Sequence, residues 1–246
     1  SSSRASRQVR EVLGDGFTGT LISDGYEAYA NYARHRPMMT HAQCWAHTRR
    51  YFEKAKDAEP GAAAEALEII GRLYQNEQSI RDKELAAAEK LNYRTQHSEP
   101  LVAAFWRWCE AQCQRHDLLP SNPLSKALKY ARARVNELQV FLSDPEVPID
   151  TNHLERALRP IPMGRKSWLF CWTELGARQV GIIQSLLVTC KLHGINPYTY
   201  LVDVLQRIDR HPASQVLELT PRLWKERFAD NPLRSDLDTG DVIKQN

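Results

Sequence analysis

The sequence predicts a mostly α-helical protein with a small α/β part. Two short apolar segments, Gly19–Ser23 and Met38–Cys44, flank a set of tyrosines and alanines at helical spacing, giving the order strand, helix, strand. From about Pro60 to Ser143, apolar residues recur at intervals of three, four and seven, the mark of helices that each bury one face. Beyond Pro148, further helical patterns surround one short basic and aromatic segment.

The first dozen residues are rich in Ser and Arg and are expected to be loose. Gly19-Thr20-Leu21-Ile22-Ser23 reads as a short buried strand ended by Asp24-Gly25. Tyr26, Tyr29, Ala30 and Ala33 then mark a short helix, and Met38–Cys44 a second strand after the breaker Pro37. From Trp45 the pattern is helical. One helix carries Leu67, Ile70, Leu73 and Tyr74. Another opens near Pro100 with Leu101, Phe105, Trp108 and Cys109. A single helix is predicted after Pro123, carrying Leu124, Leu128, Ala131, Val135, Leu138 and Leu142. A short helix after Asp150-Thr151-Asn152 is expected to stop before Pro160, with a loop or strand around Gly164–Phe170. A longer helix ends at Gly194. Asn196-Pro197 caps the next, whose predicted buried face is Tyr198, Leu201, Val202, Leu205 and Ile208. The last twenty residues are polar and are expected to fray.

With 246 residues the chain can bury a proper core, in one large domain or two small ones. A net charge of +3 is too small to indicate nucleic acid unless the charge is locally concentrated. Five scattered cysteines suit reduced thiols in a cytosolic protein better than a disulfide framework. No apolar run approaches the roughly 20 residues that a membrane span needs, so no membrane partner is expected. No Gly-rich phosphate loop or G-x-S-x-G elbow is present, which removes support for ATP-driven and serine-hydrolase chemistry.

Asp24 closes the first strand, where open α/β sheets place their ligands, and a carboxylate there suits Mg²⁺. The alternative is a plain Asp-Gly turn. Glu155 is a second possible metal carboxylate, although its position three residues after Asn152 also fits a capping box. Arg156, Arg159, Arg165, Lys166 and Arg178 follow within 23 positions, interleaved with Trp168, Phe170 and Trp172. Cations mixed with large aromatics suit a phosphate backbone, whereas a merely solvated face does not require the aromatics. His41, Cys44 and His47 have the spacing H-x₂-C-x₂-H, but a zinc site needs a second ligand pair. Cys109 and Cys113, one helical turn apart, could supply it or could line a buried helix face; Cys44 and His47 are read as packing and hydrogen-bonding residues behind the site.

Four motifs stand in sequence: Thr20–Tyr26; Cys44-Trp45-Ala46-His47-Thr48-Arg49-Arg50-Tyr51-Phe52; Asn152–Pro160 with Gly164–Phe170; and Lys191–Pro197 running on through Leu201 to Ile208. In order and spacing they resemble the transposases of the insertion sequence 66 family, from about Val9 to Leu233. The resemblance implies a ribonuclease-H-like core with a helical insertion between the second and third acids of a DDE triad. Asp24 matches the second catalytic Asp, Glu155 the catalytic Glu, and Cys44/His47 a C-x-x-H signature beside such sites. The implied chemistry is DNA cleavage and strand transfer with two Mg²⁺ or Mn²⁺ ions. Arg156, Arg159, Arg165 and Lys166 become the DNA-binding candidates.

On this basis the chain divides into a loose segment 1–15, a partial ribonuclease-H-like core 16–59, a helical insertion 60–147, the rest of the core 148–210 and a tail 211–246. The first Asp and the first strands are expected upstream; Asp15, Asp57 and Asp150 are not obvious substitutes. The expectation is therefore a truncated core, inactive alone, with a two-stranded remnant whose edge is exposed. Expected partners are transposon-end and target DNA, an oligomer formed on DNA and accessory proteins of the same element, in a cytoplasmic, nucleoid-associated setting. Two other readings remain open: a non-catalytic DNA-binding module using the Arg cluster, and a helical protein-interaction domain.

Overall fold

The computed structural model describes residues 6–164, 167, 168, 171 and 173–235. It is mostly helical with a small two-stranded sheet, as the sequence predicts. The chain forms two compact units, Ser1–Leu154 and Glu155–Asn246.

The first unit begins with α1 (Ser6–Leu13), β1 (Gly19–Ser23), α2 (Glu27–Arg34), β2 (Met39–Gln43) and α3 (Trp45–Glu53). The start, expected to be loose, is thus helical from Ser6. It is tied to α2 where the Tyr32 hydroxyl donates to the Gly14 carbonyl at 2.6 Å, and Arg36 pairs with Asp15. β1 and β2 run parallel in the register Gly19↔Met39 to Ser23↔Gln43. Of β1 only Ser23 is buried, so the strand predicted as buried is half-exposed along its length.

Next come α4 (Pro60–Asp82), α5 (Ala87–Tyr93), a π-helical turn (Arg94–Ser98), α6 (Glu99–Cys113), α7 (Pro123–Arg132) and α8 (Val135–Ser143). Pro60 and Pro123 stand at helix starts, where a missing N–H costs nothing, and the Asn122 side chain caps α7 by accepting from Leu124 N–H at 2.8 Å. The single helix predicted after Pro123 is two. Arg134 leaves the helical region (φ −137°, ψ 25°), and its guanidinium turns onto the Tyr130 ring and the Gly25 carbonyl. The apolar period runs on unbroken because the break is held by polar bonds, which hydropathy does not register.

Trp45 is the centre of this core. It is fully buried, meets Phe105 and Phe141 edge-on at 5.2 and 6.5 Å, and donates its indole N–H to the Leu138 carbonyl at 2.8 Å. Ile70, Leu73, Leu124 and Leu128 complete the surroundings.

Helix α9 (Asn152–Leu158) leads into the second unit, which continues with α10 (Pro160–Gly164), α11 (Glu174–Leu192), α12 (Pro197–Arg207), a 3₁₀ turn (Ala213–Leu219) and α13 (Pro221–Arg227). α9 stops at Leu158, before Pro160 as predicted, and Pro160 then takes the first position of α10, where a loop or strand was expected. The Thr173 hydroxyl caps α11, and Asn196 caps α12 by accepting from Tyr198 and Thr199 N–H groups. The buried face of α12 differs from the predicted one. Tyr200 and Asp203 are inside with Leu201 and Val204 beside them, whereas Tyr198, Leu205 and Ile208 are exposed. Asp203 tolerates burial because three donors converge on it, an arrangement the apolar pattern alone cannot reveal. Among the described residues no helix is long and apolar enough to cross a membrane.

Candidate active site

Asp24 stands exposed at the end of β1. Its Oδ1 accepts the Tyr26 N–H at 3.0 Å, so the plain-turn interaction is present; among the described residues its other oxygen has no hydrogen-bond partner. Gly25 takes φ +85°, a left-handed conformation that an L side chain rarely adopts. A Cβ there would lie 2.4 Å from the Tyr130 hydroxyl and 2.9 Å from Arg134 Nε. Those two side chains hold the turn. Tyr130 donates to the Asp24 carbonyl at 2.9 Å and Arg134 to the Gly25 carbonyl at 3.1 Å.

Cys44 forms the corner between β2 and α3 and is buried. Its N–H donates to the carbonyl of Ser23, the residue before Asp24, at 3.1 Å. Its Sγ accepts from both the N–H and the hydroxyl of Thr151, each at 3.3 Å. The next N–H, of Trp45, donates to Ile149 at 3.0 Å. One corner therefore fixes the end of β1 and also the segment Ile149–Thr151 from which α9 springs. Asp150 caps that helix, accepting the Asn152 backbone and side-chain N–H groups, so Asn152 is a donor here rather than the capping acceptor. The Tyr74 hydroxyl is held well above its usual value, first by burial and then by the nearby Asp150 carboxylate.

Beside β1, His41 Nε2 lies 2.9 Å from Ser23 Oγ and 3.3 Å from Gln43 Nε2. Burial first, opposed by Glu137 and assisted by Arg134, lowers its pKa and favours the neutral ring. His47 lies 3.3 Å from an Arg50 nitrogen. The described residues hold no group of three His, Cys, Asp or Glu side chains placed to share a metal ion. Cys109 is buried, with its thiol pushed up by that burial, while Cys113 is exposed.

Glu155 is half-buried on α9, at the start of the second unit. Arg156, Arg159 and Arg178 are exposed. Arg165, Lys166, Phe170 and Trp172 lie outside the described residues. Sequence reasoning missed Tyr130 and Arg134. The available signal was an aromatic and an arginine four apart, off the apolar stripe of the single helix the sequence predicts.

Residues 1–179 match the Transposase IS66 family, and residues 185–222 match the IS66 C-terminal element. The chain belongs to the IS66 transposase family. Three uncharacterized Sinorhizobium fredii proteins are similar to this IS66-family chain. One, y4qI, is 33% identical over 218 residues, covering 85% of this chain and 40% of its own length. Another, y4jD, is 33% identical over 236 residues, covering 92% of this chain and 45% of its own length. The chain thus spans less than half of the relatives it matches. No solved structure matches it.

Proposed function

We propose that this IS66-family chain carries the later part of a ribonuclease-H-like catalytic region, and that the longer protein cleaves transposon-end DNA and joins it to target DNA. Asp24 and Glu155 are its second and third triad carboxylates. The observation that carries this reading is the Cys44 corner, whose backbone N–H holds Ser23 and whose thiol holds Thr151. The residue before Asp24 and a residue one helical turn before Glu155 are thereby anchored to one buried cysteine. This gives Cys44 a physical task in the C-x-x-H signature.

Mg²⁺ or Mn²⁺ fits Asp24 as one ligand among several, since such ions take one or two carboxylates with waters and substrate phosphates. When bound, two such ions would stabilise charge on the attacking and leaving oxygens of the phosphodiester. The chain's own contribution is to hold carboxylates at a strand end and a helix start, and to offer arginines to the backbone. Arg156 and Arg159, exposed beside Glu155, suit that second task, with Arg165 and Lys166 proposed to extend it. The first carboxylate is proposed to come from the longer protein, so this chain alone is expected not to cleave. An oligomer assembled on the DNA, accessory proteins of the same element and association with the nucleoid belong to the same reading.

The test is Mg²⁺- or Mn²⁺-dependent nicking of transposon-end DNA by the longer protein. Asp24→Ala and Glu155→Ala should each reduce cleavage by about 10³-fold or more, as expected for the loss of a metal-ligating carboxylate. Cleavage that survives both changes refutes the assignment. Binding that falls steeply with salt but ignores Mg²⁺ would instead favour a non-catalytic DNA module.

A further inference from the structure

A two-stranded sheet is marginal by itself, and β1 is half-exposed along most of its length. A carboxylate at the end of such a strand needs an external reference to keep its direction. The helices between residues 60 and 147 supply one. Tyr130 lies 106 residues from Asp24 in the chain and donates to its carbonyl; Arg134 lies 109 residues from Gly25 and donates to its carbonyl. Both groups are braced. The Tyr130 ring stacks on Tyr51 with centroids 4.0 Å apart and an interplanar angle of 19°. The Arg134 guanidinium lies over the same Tyr130 ring at 3.9 Å from its centroid and also donates to the Tyr130 carbonyl at 2.9 Å. Gly25 permits the close approach: the space a Cβ would need is filled by the Tyr130 and Arg134 side chains.

We propose that Tyr130 and Arg134 are positioning residues that aim the Asp24 carboxylate at a divalent cation. This rests on the reading of Asp24 as a metal ligand, but the clamp itself can be judged without metal. The region between the second and third acids then does more than separate them. It references the Asp24–Gly25 turn to the Trp45-centred core, through α7 and the α7–α8 junction. Misplacement of a ligand by about 1 Å is enough to cost orders of magnitude in a phosphoryl-transfer site.

Two readouts on this chain decide the matter. Amide hydrogen exchange at Tyr26, read beside its neighbour Gly25, reports the turn, because the Tyr26 N–H is bonded to Asp24. Paramagnetic broadening of the same resonances by Mn²⁺ reports affinity. Tyr130→Phe and Arg134→Gln should each speed exchange at these two amides by about tenfold, while amides of α4 stay protected. They should also weaken Mn²⁺ by about three- to tenfold, a change of the size expected for one lost supporting contact. Leu73→Ala, in the core of α4, serves as the control for general destabilisation. The clamp is overturned if both variants leave exchange unchanged, or if Leu73→Ala at equal melting loss changes exchange as much. Asp24→Asn tests the underlying reading separately. If it binds Mn²⁺ as wild type does, the metal assignment falls while the exchange result still decides whether the turn is clamped.

Discussion

In the first unit a buried ion pair sits at the edge of a large aromatic core, whereas in the second a buried carboxylate is the middle of a small one. Arg94, on the π-helical turn, binds both oxygens of Glu77 at 2.8 Å and donates to the carbonyls of Phe141, Asp144 and Val147. Trp45, Phe52, Phe105, Ile70 and Leu73 form the core beside it. In the second unit Asp203 is fully buried and accepts from Arg207, from the Trp224 indole N–H and from the Leu233 N–H, all within 2.8 Å. Around it only Cys190, Ile195, Tyr200 and Trp224 form the buried cluster among the described residues, while Leu175, Leu192 and Leu205 remain exposed. A large core can use a buried charge pair to pin a distant loop. A small core of this kind is organised by the polar group itself.

The largest expected effect is at Arg94. Arg94→Met leaves Glu77 charged and uncompensated inside the protein and should cost about 3–5 kcal/mol in urea unfolding. The double variant Glu77→Leu/Arg94→Met removes the orphaned charge and should recover most of that loss. If the double variant is as unstable as the single one, the loop carbonyls matter more than the pair.

The second unit should respond differently. Asp203→Ala strands three donors and should cost about 2–3 kcal/mol, read as an early loss of Trp224 burial by fluorescence. Burial alone would raise the Asp203 pKa, but the Arg207 bond, followed by those from Trp224 and Leu233, outweighs it and the net shift is downward. A carboxyl depressed in the folded state contributes stability that is fully present above its unfolded value of about 3.9 and is lost as pH falls through the folded value. Acid should therefore open the second unit below about pH 4. Asp203→Asn, which keeps an acceptor but cannot titrate, should be less stable at neutral pH and show a flatter acid limb.

What the sequence made legible follows the same division. Both strands, the Asn196-Pro197 cap and the stop at Gly194 depend on local residue chemistry and lie where predicted. α1, the break at Arg134 and the inner face of α12 were missed because each depends on a partner far along the chain. Tyr32 reaches Gly14, Arg134 reaches Gly25, and Trp224 reaches Asp203. Periodicity reports apolar faces and is blind to buried polar groups whose donors arrive from elsewhere. Around the proposed site, the strand that ends at Ser23 and the short helix from Asn152 were legible. The bonds from Thr151 to Cys44, 107 residues apart, were not. Nor was the support that Tyr130 and Arg134 give the Asp24–Gly25 turn.

Gly25→Ala and Gly14→Ala together give the smallest effects and the sharpest local comparison. Two costs are combined there: a left-handed backbone at φ +85°, and a Cβ crowded against Tyr130 and Arg134. Gly14 separates them, since it has φ +77° but nothing within 4 Å of the place an alanine methyl would occupy. Gly14→Ala should therefore report the backbone term alone, about 1 kcal/mol. Gly25→Ala should cost about 1–2 kcal/mol, the excess measuring how firmly the two side chains hold their places. Equal melting losses for the two variants would mean that Tyr130 and Arg134 yield freely. A turn that gives way so readily would not keep a carboxylate aimed, however short its hydrogen bonds.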